Sequence, residues 1–479
     1  MFPNPQDALP LPPRPNLEQY KKLAKDLVKA CRDEAAARVH KNDTTTSKQL
    51  IPRQGAIGDW VLNWLERLAR LQGLTITQEV RDRIDRRATP IEEFIRTKLS
   101  SKDKPAADLD GSEIDKSTSG NCSLTNAQFV IARAHGFLSW PKLTRHITEV
   151  TRANSPVSNF ETAADAIIAG DVDTLERLLR EDPELIRARS TREHNATLLH
   201  YIAANGVENY RQKTPKNAPQ VADILLKAGA EVDATAAVYR GACTTLELVA
   251  TSAHPKQAGV QNALIEKLLQ HGAAVDGAPG GPGMITHCVN NGCPEAAELL
   301  ASHGARMGLQ GAAALGRLDL VQNFFDNDGN LKTTATRDEL ASGFLVACGY
   351  GHNDVVDFLL QRGVDIATHE SDGQTGLHWA AIGGQLETVK LLLHRKAPLE
   401  IHNMFGGTVL GQTMWSAAHG GDPETYSQII EALIDAGAEV YDRHPPINKR
   451  IDELLLKYGS RPDETLWWYG EKPKRRNVT

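Results

Sequence analysis

The chain contains 16 histidines, and two of them close a Thr-x-Leu-His cluster: His200 in "TLLHY" and His378 in "TGLHW". An imidazole beside a hydroxyl could activate it as a base or hold a metal. The same spacing at a helix start has a structural meaning. Thr caps the first turn, and His shares hydrogen bonds with the backbone of the capping residue. Two copies in one register and different residues elsewhere favour this helix lock, so neither histidine is assigned as catalytic. "HCVNNGC" offers His287, Cys288 and Cys293 as metal ligands. Zinc needs four ligands, with paired cysteines usually two to four apart. A separation of five with no second pair reads as core thiols. "GAAALGRL" has two glycines at phosphate-loop spacing but lacks the Lys and hydroxyl that hold phosphate and metal. No G-x-x-x-x-G-K-[ST], H-E-x-x-H or G-x-S-x-G is present. The reading assigns no enzyme activity, catalytic residue, cofactor or metal.

The 479 residues are 41% hydrophobic and 24% charged, enough apolar material for a core, but only 5% are aromatic. An Ala/Leu/Val/Ile interior suits closely packed helices. Net charge is −6, unevenly divided: 24 basic against 19 acidic residues in 1–150, and 30 against 41 in 151–479. The acidic larger part argues against a nucleic-acid groove there. Six dispersed cysteines without a Cys-x-x-Cys read as free thiols of a reducing cytosol. The start "MFPNPQDALPLPPRP" lacks the basic and apolar stretches of a signal peptide. No apolar run approaches the roughly 18–20 residues needed to cross a bilayer. The expectation is a cytoplasmic protein that binds no membrane.

Around His378 the layout is explicit. Asp372-Gly373 is a turn signal, and "LHWAAIGG" is a short helix closed by Gly383-Gly384. "QLETVKLLLHRKA" is a second helix with Leu386, Val389, Leu392 and Leu393 on one face. Such short helices must bury that face on neighbours. Copies supply them. Aligned six residues before each first helix's closing turn, they place His200, Glu247, Thr286, Gln310, Leu345, His378 and Trp415 at one position. The gaps are 47, 39, 24, 35, 33 and 37. A more polar copy spans 162–185, and "NKRIDELLLKYG" (448–459) reads as a capping helix before a basic tail. Spacing in the thirties indicates a helix-pair solenoid.

The "TxLHxAAxxG" starts and "LLxxGAxVD" endings resemble the ankyrin repeat over roughly 160–445. The resemblance implies an all-α, ankyrin-type helix-pair solenoid. The family's proline in Thr-Pro-Leu-His is replaced by Leu198 and Gly376. The gap of 24 leaves no room for the usual hairpin finger, and "VENYRQKTPKNAP" (207–219) is an insertion.

Upstream, 1–99 reads as a helical region: a charged helix over 16–40, an amphipathic one over 59–71 with Trp60, Trp64, Leu68 and Leu71 on one face, and one over 77–99 broken at Pro90. Residues 100–122 are hydrophobe-poor and predict a disordered linker. Residues 123–150 predict a helical hairpin around Gly136, with Ser139 as second cap. "PLPPRPNLEQYKKLAKDLVKA" and "AQFVIARAHGFLSWPKL" resemble the lead-in of bacterial ankyrin-repeat proteins. Residues 446–479 complete the chain as the capping helix and tail.

The positive expectation is a monomer that binds another protein on the concave face, without catalysis. Variable positions of the repeat place Glu193, His194, Asn205, Tyr350, Ser371, Asp372, Gln374, Ile382 and His419 there. The loop "AVYRGAC" adds Tyr239 and Arg240, and the insertion adds Tyr210 and Arg211. A rival reading makes 123–150 a DNA-binding helix-turn-helix of a regulator, with the repeats sensing a partner. Against it, Trp140-Pro141 stands where base-reading residues are wanted. An enzyme with its site in the N-terminal region is a third possibility.

Overall fold

The computed structural model of the chain describes residues 4–12, 14–41, 55–100, 122–278 and 283–466. Most of the predicted linker and the basic tail lie outside them. The architecture is all-α, with helices stacked in pairs over much of its length. Among the described residues, strands form only two short pairs. The chain divides into two compact units, Met1–Pro279 and Gly280–Thr479, a division inside the span 160–445 expected for the repeats.

The first unit opens with α1 (Leu17–Lys41), α2 (Ala56–Leu71), α3 (Gln78–Ser100), α4 (Leu124–Ala134) and α5 (Trp140–Val150). One core joins them, including Leu27, Val61, Trp64, Ile91, Ile95, Val130, Ile131, Leu143 and Ile147. Two expectations are corrected here. Leu71 is 44% exposed, because it ends α2 beyond the buried stripe of Trp60, Trp64 and Leu68. α3 runs through Pro90 without a break. A proline in a helix interior forfeits one backbone hydrogen bond. Burial of Ile84, Ala88, Ile91 and Ile95 along the same helix outweighs that loss.

The cysteine expectation is also corrected. Cys31 of α1 and Cys122, just before α4, form a disulfide with Cα atoms 5.9 Å apart. The fold brings into bonding range two residues 91 positions apart, a proximity that spacing alone does not reveal. The thiols therefore give no ground for assigning a reducing compartment.

The proline-rich start folds against the hairpin. Leu9 N–H donates to the Ala134 carbonyl (2.7 Å), and His135 Nδ1 donates to the Leu9 carbonyl (2.9 Å). Gly136, at φ +81°, makes the turn between α4 and α5; a Cβ there would meet Ala8 at 3.0 Å. Its carbonyl accepts from Glu193 N–H (2.9 Å), joining the hairpin to the repeats. Those follow as α6 (Pro156–Ala169), α7 (Val172–Glu181), a 3-10 turn at Leu198–Ala203, α8 (Ala218–Lys227), the hairpin β1 (Thr235–Val238) and β2 (Gly241–Thr244), α9 (Thr245–Ala250), α10 (Ala253–Gln257) and α11 (Gln261–Gln270).

The second unit stacks the pairs α12 (Met284–Asn290) and α13 (Pro294–Ser302), α14 (Leu309–Ala314) and α15 (Leu318–Gln322), α16 (Arg337–Tyr350) and α17 (Asn353–Gln361), α18 (Gly376–Ile382) and α19 (Leu386–His394), and α20 (Val409–Ala418) and α21 (Pro423–Asp435). β3 (Arg443–His444), α22 (Lys449–Lys457) and β4 (Arg461–Pro462) close it. Second helices bury Val355, Leu359, Val389, Leu392, Ile429 and Leu433. First helices approach one another closely. A Cβ built on Gly376 would lie 2.9 Å from both Cys348 Sγ and Phe344 Cε1. Gly376 thus stands where the family has proline because the neighbouring helix leaves no room for a side chain.

Candidate functional site

The Thr-x-x-His clusters are helix locks. Thr375 N–H donates to His378 Nδ1 (3.2 Å), Thr375 Oγ1 lies 2.9 Å from the same nitrogen, and His378 N–H donates back to Thr375 Oγ1 (3.4 Å). Thr197 and His200 repeat the arrangement at 3.2 and 2.7 Å. Both rings are fully buried. Burial pushes each imidazole down to about 4, opposed in part by backbone at Gly407 for His378 and at Cys243 for His200. An Nδ1 that accepts from a backbone N–H is unprotonated, so these rings are neutral at pH 7 and turned away from solvent.

Glu247, aligned with the histidines, closes the same box from Thr244: Thr244 N–H donates to its carboxylate (2.6 Å), and Glu247 N–H donates to Thr244 Oγ1 (3.3 Å). In the longer α16 the box is Thr336 with Glu339, and α20 is capped by Thr408. Leu345 and Trp415 therefore share the closing-turn register but not the capping role. Cys288 and Cys293 are fully buried, and burial pushes the Cys288 thiol up to about 12.

The first unit contains a group of buried charges that sequence reading did not assemble. Arg192 donates to Glu161 (2.7 Å) and pairs with Glu208 (2.9 Å). Arg211 donates to the other Glu161 oxygen (2.7 Å) and to Asp165 (2.8 Å). Arg192 also donates to the Tyr210 hydroxyl (3.2 Å), and His194 Nε2 lies 3.4 Å from Glu208. The guanidinium of Arg192 sits over Phe137, and that of Arg211 over Tyr201 and Tyr210. Burial alone would raise the Glu161 carboxyl; Arg192 and Arg211 override it and hold it down at about 2. Burial likewise opposes ionisation of Glu208, yet Arg192, His194 and Arg211 keep it well below the usual carboxylate range.

This assembly corrects two expected contacts, His194 and Arg211, and ties down a third, Tyr210. His194 and Arg211 are buried and cannot reach a partner, and Tyr210 is half-buried with its hydroxyl bound to Arg192. The insertion 207–219 folds inward because Glu208 and Arg211 complete a charge set begun by Glu161 and Arg192. Glu161, Arg192, Glu208 and Arg211 are all visible in the chain, but nothing in their spacing says that they meet.

The remaining expected residues fall into two groups. In the first unit, Tyr239 and Arg240 are exposed at the tip of the β1–β2 hairpin, both at positive φ (51° and 63°), and the Tyr239 hydroxyl donates to Asn205 Oδ1. Bulky residues in both left-handed positions cost strain that Asn-Gly would avoid. Glu193, half-buried, is paired with Arg133 at 2.8 Å.

In the second unit, Ser371 is exposed, and Asp372 accepts from both the backbone and side-chain amide of Gln374 (3.0 Å each). Tyr350 reaches inward to the Val289 carbonyl (2.6 Å), and the Ile382 carbonyl accepts from Tyr426 (2.6 Å). His419 stacks on Trp415 with ring centres 4.2 Å apart. Beside this group the structure adds Met404 (66% exposed), Phe405 (48%), Tyr441 (60%) and Trp415 (40%). Sequence reading missed Met404, Phe405 and Tyr441 because apolar residues in loops leave no periodic trace. Met404 N–H donates to the Asp372 carbonyl (2.6 Å), setting one fingertip against the next.

The proposed DNA-reading hairpin buries Leu143, His146 and Ile147 of α5 in the core. His146 holds Thr191 (2.7 Å), and burial with nearby Arg192 pushes its ring down to about 4. Among the described residues no helix is long and apolar enough to cross a membrane.

Comparison with known proteins agrees with the geometry. The family profile for ankyrin repeats, in three copies, matches residues 309–404 and 344–444. Among solved structures the chain is similar to the ankyrin repeat domain of Bcl-3, described as a unique member of the IkappaB protein family. Identity is 19%, coverage is 57% of this chain and 97% of that one, and the TM-score of 0.26 is too low to bear on function. With the matched profile lying on the stacked helix pairs of the second unit, residues 309–444 of this chain are ankyrin repeats.

Proposed function

We propose that this protein is a non-catalytic binding module that takes another protein on the fingertips and first-helix faces of its repeats. Ankyrin repeats generally mediate protein–protein interaction. One observation supports the specific reading: the repeated Thr-x-x-His residues are turned into the core, while their neighbours form exposed or half-buried, chemically mixed fingertips. Tyr239 with Arg240 in the first unit and Ser371, Asp372, Gln374, Met404, Phe405 and Tyr441 in the second supply aromatic, basic and acidic groups of the kind that dominate binding energy.

The test is capture of partners by the full chain and by two paired variants, Tyr239→Ala with Arg240→Ala and Asp372→Ala with Gln374→Ala. Truncating a contact that matters typically costs 2 kcal/mol or more, about a thirtyfold loss of affinity. The reading expects such a loss for one pair at unchanged melting temperature. Undiminished capture by both pairs refutes this placement of the surface.

A further inference from the structure

The second unit exposes Met404, Phe405, Trp415 and Tyr441, and Tyr441 lines a cavity of about 130 Å³. Gly411 and Met414 of α20 line the cavity on one side, Val440 and Tyr441 on another, and Ser460 closes it. The Met404–Phe405 loop is fixed to α20 through Asn403, which accepts from Phe405 N–H (3.0 Å) and donates to Gln412 (3.0 Å). Trp415 lies one turn beyond Gly411 on the same helix. Its rim is acidic. Glu370 and Asp372 before α18 and Glu439 and Asp442 after α21 are carboxylates of two fingertips, and none of Glu370, Asp372 and Glu439 is ion-paired to a described residue. Desolvation, with Asp372 close by, raises the Glu370 carboxyl, as expected where negative charges crowd. Arg443, which lines the cavity, is held at 3.0 Å by Asp463.

The sequence that follows the described residues has the complementary chemistry. β4 (Arg461–Pro462) pairs with β3 (Arg443–His444) on the cavity wall, and the description ends at Leu466. Residues 467–479 read "WWYGEKPKRRNVT": three adjacent aromatics, then Lys472, Lys474, Arg475 and Arg476 against one Glu471. An extended chain covers up to roughly 3.3–3.6 Å per residue, so the aromatic triplet begins within a few residues' reach of Ser460 and Tyr441. We propose that the segment 467–479 docks on this surface, its aromatic triplet against Met404, Trp415, Tyr441 and the cavity, its basic run against the acidic fingertips. Apolar burial supplies the attachment and the opposed charges set its direction along the fingertips. A consequence, which rests on the binding reading above, is that the chain carries its own competitor for the partner surface.

Hydrogen exchange on the full chain decides it, comparing wild type with the triple variant Trp467→Ser, Trp468→Ser and Tyr469→Ser and with Lys474→Glu plus Arg475→Glu. Docking predicts that the triple variant exchanges at least about fivefold faster than wild type over 403–415 and 439–445. It predicts a smaller acceleration for the charge variant, and wild-type protection that is independent of protein concentration. Equal exchange in wild type and triple variant overturns the proposal. Protection that grows with concentration also overturns it, because the segment would then be docking on a second copy. No partner enters the experiment, so its failure is distinct from failure of partner capture.

Discussion

The first full repeat copy and the copy beginning at Asp372 share the Thr-x-x-His lock, yet they are stabilised by opposite means. Around Thr375 and His378 the neighbours are apolar and tightly spaced: Phe344, Cys348, Leu377, Ala380, Val389 and Leu392 are all essentially inaccessible. Around Thr197 and His200 the interior holds Glu161, Arg192, Glu208 and Arg211, and the helix shortens to a 3-10 turn that ends at Ala204 with φ +47°. The difference follows position. The later copy has a similar repeat on either side. The first copy packs between α6 and α9, but it also meets Phe137 of the hairpin turn through Arg192 and carries a thirteen-residue insertion spanning 207–219, and buried ion pairs fix that single, non-repeating geometry.

The sharpest way to break this comparison is to remove one charge. Arg192→Met leaves Glu161 and Glu208 buried without their shared partner, and breaking a buried pair costs about 3–5 kcal/mol. Hydrogen exchange across α6 and 198–211 should show local opening made easier by that amount, with α18 and α19 unaffected. A change below about 1 kcal/mol would mean the charges do not hold this region.

Acid should separate the regions next. His135, His146, His200 and His378 are each pushed by burial to about 4 from an ordinary 6.5. Between those values the unfolded chain binds more protons than the folded one, so stability falls as pH drops from 6.5 toward 4. Each group contributes about 1.4 kcal/mol per unit of separation. Three of the four lie in the first unit, which should therefore melt earlier on acidification. Glu161, held at about 2, adds a loss only below 4.5. Simultaneous melting of both units from pH 7 to 4 would contradict this assignment.

Capping gives a smaller effect common to both regions. Thr375→Ala should cost roughly 0.5–2 kcal/mol, and Thr197→Ala a similar amount. Wild-type melting of Thr375→Ala would remove the lock. The cysteines give a contrast without an energy scale. Alkylation in denaturant without reductant should label Cys288, Cys293 and Cys348 in the second unit but only Cys243 in the first. Label on Cys31 or Cys122 would show that the disulfide is absent.

How much the sequence reveals varies along the same line. The lock at His378, the helix pairs of 309–444 and the capping helix at 448–459 are legible because each is a local pattern of caps, periodic apolar residues and turn glycines. His194 and Arg211 are misplaced by the same method, since a charged residue in a polar insertion reads as surface unless its buried partner is known. Glu161 lies 50 residues from Arg211, and Cys31 lies 91 from Cys122. Pairings at such distance are decided by packing, not by spacing. Met404 and Tyr441 were invisible for a different reason: exposure of a loop apolar residue is a property of the folded surface alone.

The account's central claim is that the repeats bury their recurring polar residues and bind through what lies beside them. A photo-crosslinking residue placed at exposed Ser371, beside Asp372 and Gln374, or at exposed Glu431 on α21, tests it most directly. The account predicts a crosslinked partner protein from position 371 and none from 431. Crosslinking from 431 alone, or equally from both, would contradict it.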